Sequence, residues 1–385
     1  MTPGPTAIAE ETRLAMAAGL PHHRSQAFGA DLGELLGHLR WLLETDGDAL
    51  LITGSGTTGM ESALHSLLWE GRHALVVTGG KFAERWQELA ALTGASVRSV
   101  DVSWGDSARA EAVEAAASAG PVDVFVCVAS ETSTGALHPV AELVSALRRH
   151  HPEAVVVVDG ITAVGCVDLS MRRDRIDVLV TGSQKAFGLP PGAAFVGVSQ
   201  RAWEAMEPAP RRSLTHDLRR ERKQTATGQT AWTPAIPLVV GGLEVLRRWR
   251  SVGKESLFAH TALQAEVIRA GTSALGLKPF PTGLLTPALT SLAVPDDVDG
   301  ASLVRWIREH SGYTVSGGQD RLKGRILRIG HLGPVDLFEG LGVLLALEAA
   351  LEAHGTPIVP SAALHAARKV AVPALQSSVP YLLSP

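Results

Sequence analysis

The sequence predicts an α/β protein, with a large unit on a mostly parallel sheet followed by a smaller α+β unit. Three observations carry this expectation. Short apolar runs recur between about 48 and 245, and amphipathic stretches of helical period lie between several of them. After Trp249 the pattern changes to a long helix, a Pro-rich stretch and isolated short strands. Unbroken Val/Ile/Leu runs spaced by helices read as strands buried on both faces, which is a parallel sheet covered on each side by helices.

In chain order the apolar runs are LLIT (50–53), ALVVT (74–78), SVRSVDV (96–102), VDVFVCV (122–128), AVVVVD (154–159), DVLVTG (177–182) and AAFVGVS (193–199). Helical periodicity marks 59–69, 82–93, 108–119 and 140–150. Beyond Trp249 a long amphipathic helix over 254–274 precedes KPFPTGLLTPA. SLAVP, a helix over 299–310, a YTVSGG turn and RILRIGHLG follow, and a helix over 334–354 closes this unit. The expected division is an N-terminal segment 1–20, a large domain 21–249, a small domain 250–354 and a peripheral tail 355–385. The tail carries five prolines and has little periodicity beyond a short helix over 361–369.

Composition narrows the class of function. The 385 residues are 45% hydrophobic and 19% charged, enough apolar mass for a core and too little charge for disorder. Lys+Arg 35 against Asp+Glu 39 leaves a net charge of −4, so no basic excess points to nucleic acid or to anionic lipid. Two cysteines, Cys127 and Cys166, cannot build a disulfide framework or a structural zinc site. The N-terminus lacks a basic stretch followed by an apolar one, and the strongest apolar run falls far short of the ~20 residues of a membrane helix. A cytoplasmic enzyme of small molecules, with no metal, is the expectation.

Three residue sets suggest the chemistry. In TGSQKAFGLPPG (181–192), Lys185 follows a buried apolar strand, where an ammonium must be paired or deprotonated. A lysine at a strand end is commonly a plain surface residue. Here a Gly/Pro loop fixes its backbone, as a Schiff-base amine of lowered pKa requires. Asp159 ends the most apolar strand, 26 residues earlier. Such a residue serves as a helix or loop cap, or sits on the rim where α/β proteins bind ligands. Beside a strand-end lysine it fits the carboxylate that keeps a pyridine nitrogen protonated. ITGSGTTGMESAL (52–64) reads as strand, Gly/Ser loop and helix, a cup for an anion at a helix N-terminus. It matches neither the dinucleotide fingerprint nor the P-loop.

Together these sets resemble the class V aminotransferases of fold type I, the pyridoxal-phosphate enzymes that include the alanine–glyoxylate and serine–pyruvate aminotransferases. The resemblance spans Pro3 to about Leu351. It includes PGPT (3–6), HHRS (22–25), GGKFAERW (79–86), ETSTGAL (131–137), GQTAWTPA (228–235) and GGQDRLKGRILRIGHLG (317–333). It implies pyridoxal 5'-phosphate as cofactor, with Lys185 forming the internal aldimine and shuttling a proton, and Asp159 pairing with the ring nitrogen. Ser55, Gly56 and Thr57, with Gln184 beside them, would cup the phosphate. Phe82 would stack on the ring and Ile161 press its other face, while Thr132 would bond the phenolic oxygen. Thr233 would reach the phosphate of a neighbouring subunit, which implies a homodimer with shared sites. Gly4 and Arg328 would meet the substrate, the guanidinium gripping its carboxylate.

The implied reaction moves an amino group from alanine or serine to glyoxylate or pyruvate. The sequence departs from the family pattern at Ala129 and Ser130, at Trp232 and in RRSLTHDL (211–218), departures that bear on donor and acceptor. The alternative on the same fold is a lyase or aldolase, or a desulfurase. The last would need a nucleophilic cysteine on a mobile loop, where neither Cys127 nor Cys166 is placed.

Overall fold

The computed structural model describes residues 1–376. Helices α1 (Glu10–Ala17) and α2 (Gln26–Leu43) precede β1 (Asp48–Gly54), α3 (Gly56–Leu67), β2 (His73–Val77) and α4 (Lys81–Leu92). Next come β3 (Ser96–Val100), α5 (Ala110–Ser118), β4 (Val124–Val128) and the two-residue strands β5 (Ser130–Glu131) and β6 (Ala136–Leu137). They lead to α6 (Val140–Arg148), β7 (Val155–Asp159), β8 (Val178–Gly182), β9 (Gly192–Val198), α7 (Gln200–Met206), α8 (Leu218–Thr225) and α9 (Ile236–Val252). The chain continues through α10 (Lys254–Ala274), β10 (Leu284–Leu285), β11 (Leu289–Ala293), α11 (Gly300–Ser311) and β12 (Ser316–Gly317). It then forms β13 (Ile326–Gly330), α12 (Leu337–Ala353) and α13 (Ala362–Gln376).

All seven apolar runs enter one sheet of order β1-β9-β8-β7-β4-β2-β3. Pairing is parallel from β8 through β7, β4 and β2 to β3, and only β9 runs against its neighbours. Strands β4, β7 and β8 are buried at every residue, because apolar clusters cover both faces of the sheet. That double burial is why their sequences show no alternation.

Helix α2 lies outside the elements read from the sequence. Its periodic Phe28, Leu32, Leu35, Leu39 and Leu42 are buried, and Ser25 caps it by accepting from the Phe28 N–H at 3.2 Å. The last part of the chain carries a second, three-stranded sheet of order β11-β13-β12 and a separate apolar cluster shared with α10–α13. Here the structure corrects one expectation. Residues 362–376, expected in a peripheral tail, form a helix longer than the predicted 361–369. It packs along α10 with Ala363, Ala367 and Ala371 buried. Alanines four apart leave a smooth stripe that lets two helix backbones approach closely, a pattern weaker in sequence than a Leu stripe. Residues 377–385 lie outside the described residues. Among the described residues, no helix is long and apolar enough to cross a membrane.

Candidate active site

The C-terminal ends of the parallel strands converge on a cavity of about 230 Å³. Gly4, Gly56, Thr57, Phe82, Thr132, Asp159, Ile161, Gln184 and Lys185 all line it. Arg328 and Ser55 are not on its wall. Ser55 is the half-buried N-cap of α3, immediately before Gly56. Arg328, buried on β13, is tied to the cavity because its Nη1 donates to the Thr132 carbonyl at 2.8 Å. Thr233 lies elsewhere, exposed beside a second cavity of about 280 Å³.

Lys185 sits in the turn after β8, 8% exposed. Two contacts from the N-terminal segment hold its turn: Thr6 donates from Oγ1 to the Lys185 carbonyl at 2.8 Å and from N to the Gln184 carbonyl at 3.1 Å. The amine itself donates to the Pro3 carbonyl at 2.7 Å. At Gly4, where φ is +123°, a Cβ would come within 2.7 Å of Lys185 Cδ, so only glycine lets this segment cross the lysine. Burial pulls the Lys185 pKa down to about 8, opposed by Asp159 and assisted by Arg328.

Asp159 ends β7. Oδ1 accepts from the Ile161 N–H at 2.8 Å, and Oδ2 from the Trp86 indole at 2.7 Å. Burial nevertheless pushes its pKa up to about 7, against the pull of those two donors. Among the described residues no ion pair reaches it. The site thus holds a desolvated carboxylate with neutral donors only, at the wall of a cavity that a cationic ring would enter.

Sequence reasoning missed Trp86, Arg85 and Glu131. Trp86 and Arg85 lie four and three residues after Phe82 on α4, the spacings that share a helix face. Arg85 donates to Thr57 Oγ1 at 3.1 Å and lies over the Phe82 ring at 5.0 Å. Glu131, fully buried, caps α4 by accepting from the Ala83 N–H at 3.1 Å, and it also accepts from the Ser133 hydroxyl at 2.6 Å. Burial raises its pKa. All three lie in GGKFAERW and ETSTGAL, the motifs that also carry Phe82 and Thr132.

A group of the size and charge of pyridoxal phosphate fits these residues. Gln184 Oε1 is buried with no hydrogen-bond partner among the described residues. At Gly56, in the first turn of α3, a Cβ would meet Ile161 Cδ1 at 2.5 Å. Gly56 and Thr57 put the N-terminus of α3, where an anion is favoured, on the cavity wall. The helix starts three residues earlier than its apolar period suggests, which puts Gly56 and Thr57 in the helix itself.

The family described as Aminotransferase class-V matches residues 10–321. The chain belongs to the class V aminotransferases. It is a transaminase that works with pyridoxal 5'-phosphate, on the fold of that group. The aminotransferase is 31% identical over 362 residues to the L-aspartate–glyoxylate aminotransferase of Paracoccus denitrificans, covering 92% of this chain and 91% of that one. It is 32% identical over 355 residues to a protein of Anabaena cylindrica named soluble hydrogenase 42 kDa subunit, covering 91% and 92%. Among solved structures, the subgroup IV aspartate aminotransferase of Thermus thermophilus matches with a TM-score of 0.86 and 33% identity, covering 92% and 99%. Both cysteines of the aminotransferase are buried, and burial pushes each thiol up to about 12, away from the accessible thiolate that a desulfurase nucleophile requires.

Proposed function

We propose that the enzyme transfers the amino group of a small amino acid, alanine or serine, to a small 2-oxo acid, glyoxylate or pyruvate. It does so as a cytoplasmic homodimer with shared sites. The observation that carries the reading is one cavity whose wall holds a lysine of lowered pKa and a desolvated carboxylate, with a guanidinium tied to its rim. The cofactor, when bound, supplies an aldehyde that exchanges with amines and an electron-withdrawing ring.

In this reading Lys185 bonds the cofactor and then moves the substrate α-proton at Nζ. A burial-lowered pKa near 8 leaves an appreciable fraction of the amine neutral at physiological pH. Asp159 holds the ring nitrogen protonated, and the Trp86 and Ile161 N–H groups keep that carboxylate aimed. Ser55, Gly56, Thr57 and Gln184 take the phosphate, Phe82 and Ile161 the two ring faces, and Thr132 the phenolic oxygen. Gly4 closes the cavity over the substrate and helps to exclude water. Thr233 completes the phosphate cup of the neighbouring subunit.

Arg328 takes the substrate carboxylate. Its Nε and Nη2 both donate to the Gly317 carbonyl, at 3.0 and 2.7 Å, and Nη1 to Thr132. A guanidinium has two hydrogens on each terminal nitrogen, and the bonds among the described residues use one of each, which leaves one N–H on each for a carboxylate. Arg328→Lys is expected to raise KM for both substrates by roughly 10- to 100-fold with a smaller change in kcat, since an ammonium is a single point charge. An unchanged KM would remove Arg328 from substrate binding.

The substrate assignment is tested by absorbance scans of the holoenzyme with alanine, serine and aspartate, aspartate being in the names of two relatives. Half-reaction with alanine or serine, followed by return of the starting spectrum on adding glyoxylate or pyruvate, is the expected outcome. Half-reaction with aspartate alone would overturn the choice of donor. Release of ammonia and pyruvate from serine without any 2-oxo acid would establish the lyase alternative.

A further inference from the structure

The turn that carries Thr233 is rooted on a buried carboxylate. Glu221, on α8, is 6% exposed, and both of its carboxylate oxygens accept from one backbone N–H, that of Ala231, at 3.2 Å each. Three further bonds stiffen the turn. The buried Thr230 donates from Oγ1 to the Trp232 carbonyl at 2.6 Å, and Arg24 donates to Gln229 Oε1 at 2.5 Å and to the Thr230 carbonyl at 3.3 Å. From this root the tip points outward: Trp232 is 37% exposed and Thr233 is exposed.

Burying a carboxylate is unfavourable unless something compensates. Among the described residues no ion pair reaches Glu221. The charged groups around it are engaged elsewhere. Arg222, next on α8, pairs with Asp48 of β1 at 2.9 Å, and His216, facing the same cavity, lies 3.9 Å from Glu61 of α3. Arg24 is held by the turn itself. A costly group whose recorded contact is the Ala231 N–H, two residues before an outward threonine, needs a reason for its place.

We infer that Glu221 is a positioning residue that sets the reach of Thr233 into the neighbouring subunit's phosphate site, and so governs cofactor retention across the dimer. The inference rests on the shared-site reading proposed above. Burial raises the Glu221 pKa to about 7, and the Ala231 N–H pulls it back only in part. The ionised form holds that N–H as a charge-assisted acceptor, whereas the protonated form offers a neutral one of lower strength. Cofactor retention should therefore weaken as pH falls through about 7.

The test is the dissociation constant of pyridoxal phosphate, by equilibrium dialysis of the holoenzyme between about pH 6 and about pH 9. Wild type is compared with Thr233→Ala, Glu221→Gln and Glu221→Leu. Thr233→Ala should weaken binding about 10- to 100-fold, the effect of losing one hydrogen bond to an anion. Glu221→Leu should weaken it about tenfold at pH 8, with the dimer retained in gel filtration. Glu221→Gln keeps an acceptor but cannot ionise. Its loss should be smaller, and the ratio of its affinity to that of wild type should change about a midpoint near pH 7.

Mixed dimers decide the direction of action. Paired with a Lys185→Ala chain, a Glu221→Leu chain keeps its own Lys185 and borrows Thr233 from a chain with Glu221 intact. That one site should bind like wild type. If it stays weak while the corresponding Thr233→Ala mixed dimer recovers, Glu221 acts within its own subunit and the inference is overturned, with shared sites still standing. Wild-type affinity for Glu221→Leu at every pH would overturn it as well. Failure of the Thr233→Ala mixed dimer to recover, with subunit exchange demonstrated, removes the shared-site reading and the inference with it.

Discussion

Lys185→Ala is expected to abolish transamination and the borohydride-fixable attachment of the cofactor together. Loss of a positioned acid/base group alone lowers the rate by roughly 10²–10⁴-fold, and here the covalent anchor goes with it. The substitution should leave the fold intact. Burial disfavours the Lys185 ammonium, and the side chain's recorded hydrogen bond, to the Pro3 carbonyl, lies at the cavity wall. Turnover is checked by steady-state assay, attachment by mass spectrometry of borohydride-reduced protein, and fold by circular dichroism. A folded variant that still shows the reduced adduct and full turnover would falsify the assignment. Added methylamine should restore part of the activity, because the missing group is an amine.

Asp159→Asn should produce the second largest loss, and it has two readouts. Removing one partner of a buried, hydrogen-bonded charge pair costs roughly 2–5 kcal/mol, about 30- to 5,000-fold. Most of this should appear in kcat, since the neutral amide cannot keep the ring nitrogen protonated as the reaction proceeds. The second readout needs no cofactor. With its folded-state pKa at about 7, above the usual 3.8, Asp159 gives the folded protein extra bound protons between those values. Its contribution to stability is then largest at low pH and is lost as pH rises through about 7. Thermal midpoints of the cofactor-free wild type should fall, relative to Asp159→Asn, as pH rises from about 4 to about 7. Parallel pH dependences would show that the carboxylate is not desolvated. A kcat near that of wild type would separately remove its role in the chemistry.

Much of the large sheet was legible in the sequence because burial on both faces leaves its mark residue by residue. VFVCV, and VVVV before the terminal Asp159, have no polar position at which a strand could face water, so each run marks a strand of the seven-stranded sheet. Helix α13 was less legible. Its buried stripe is alanine, which carries little apolar signal, and Pro373 lies within it, so the pattern resembles a loose tail. The site was legible in the same uneven way. Lys185, Asp159 and the Gly-Ser-Gly-Thr-Thr-Gly run announce themselves by local context, a charge or a flexible loop directly after an apolar strand. Glu131 and Glu221 do not, because nothing in ETSTGAL or in LRRERKQT tells a buried carboxylate from a solvated one.

By itself the sequence determined the fold class, the order of the strands' apolar runs and the residues at their C-terminal ends, since these follow from local periodicity and from motifs of fixed spacing. It could not determine what each charged group faces. Only the tertiary structure decided that the Lys185 amine meets the Pro3 carbonyl from 182 residues away, and that Trp86 holds Asp159 across 73. Only it decided that the Arg328 guanidinium is anchored to the carbonyls of Gly317 on β12 and Thr132 beyond β5. The physical reason is that pKa, donor supply and reach depend on desolvation and on long-range packing, and chain-local patterns of polarity do not encode either.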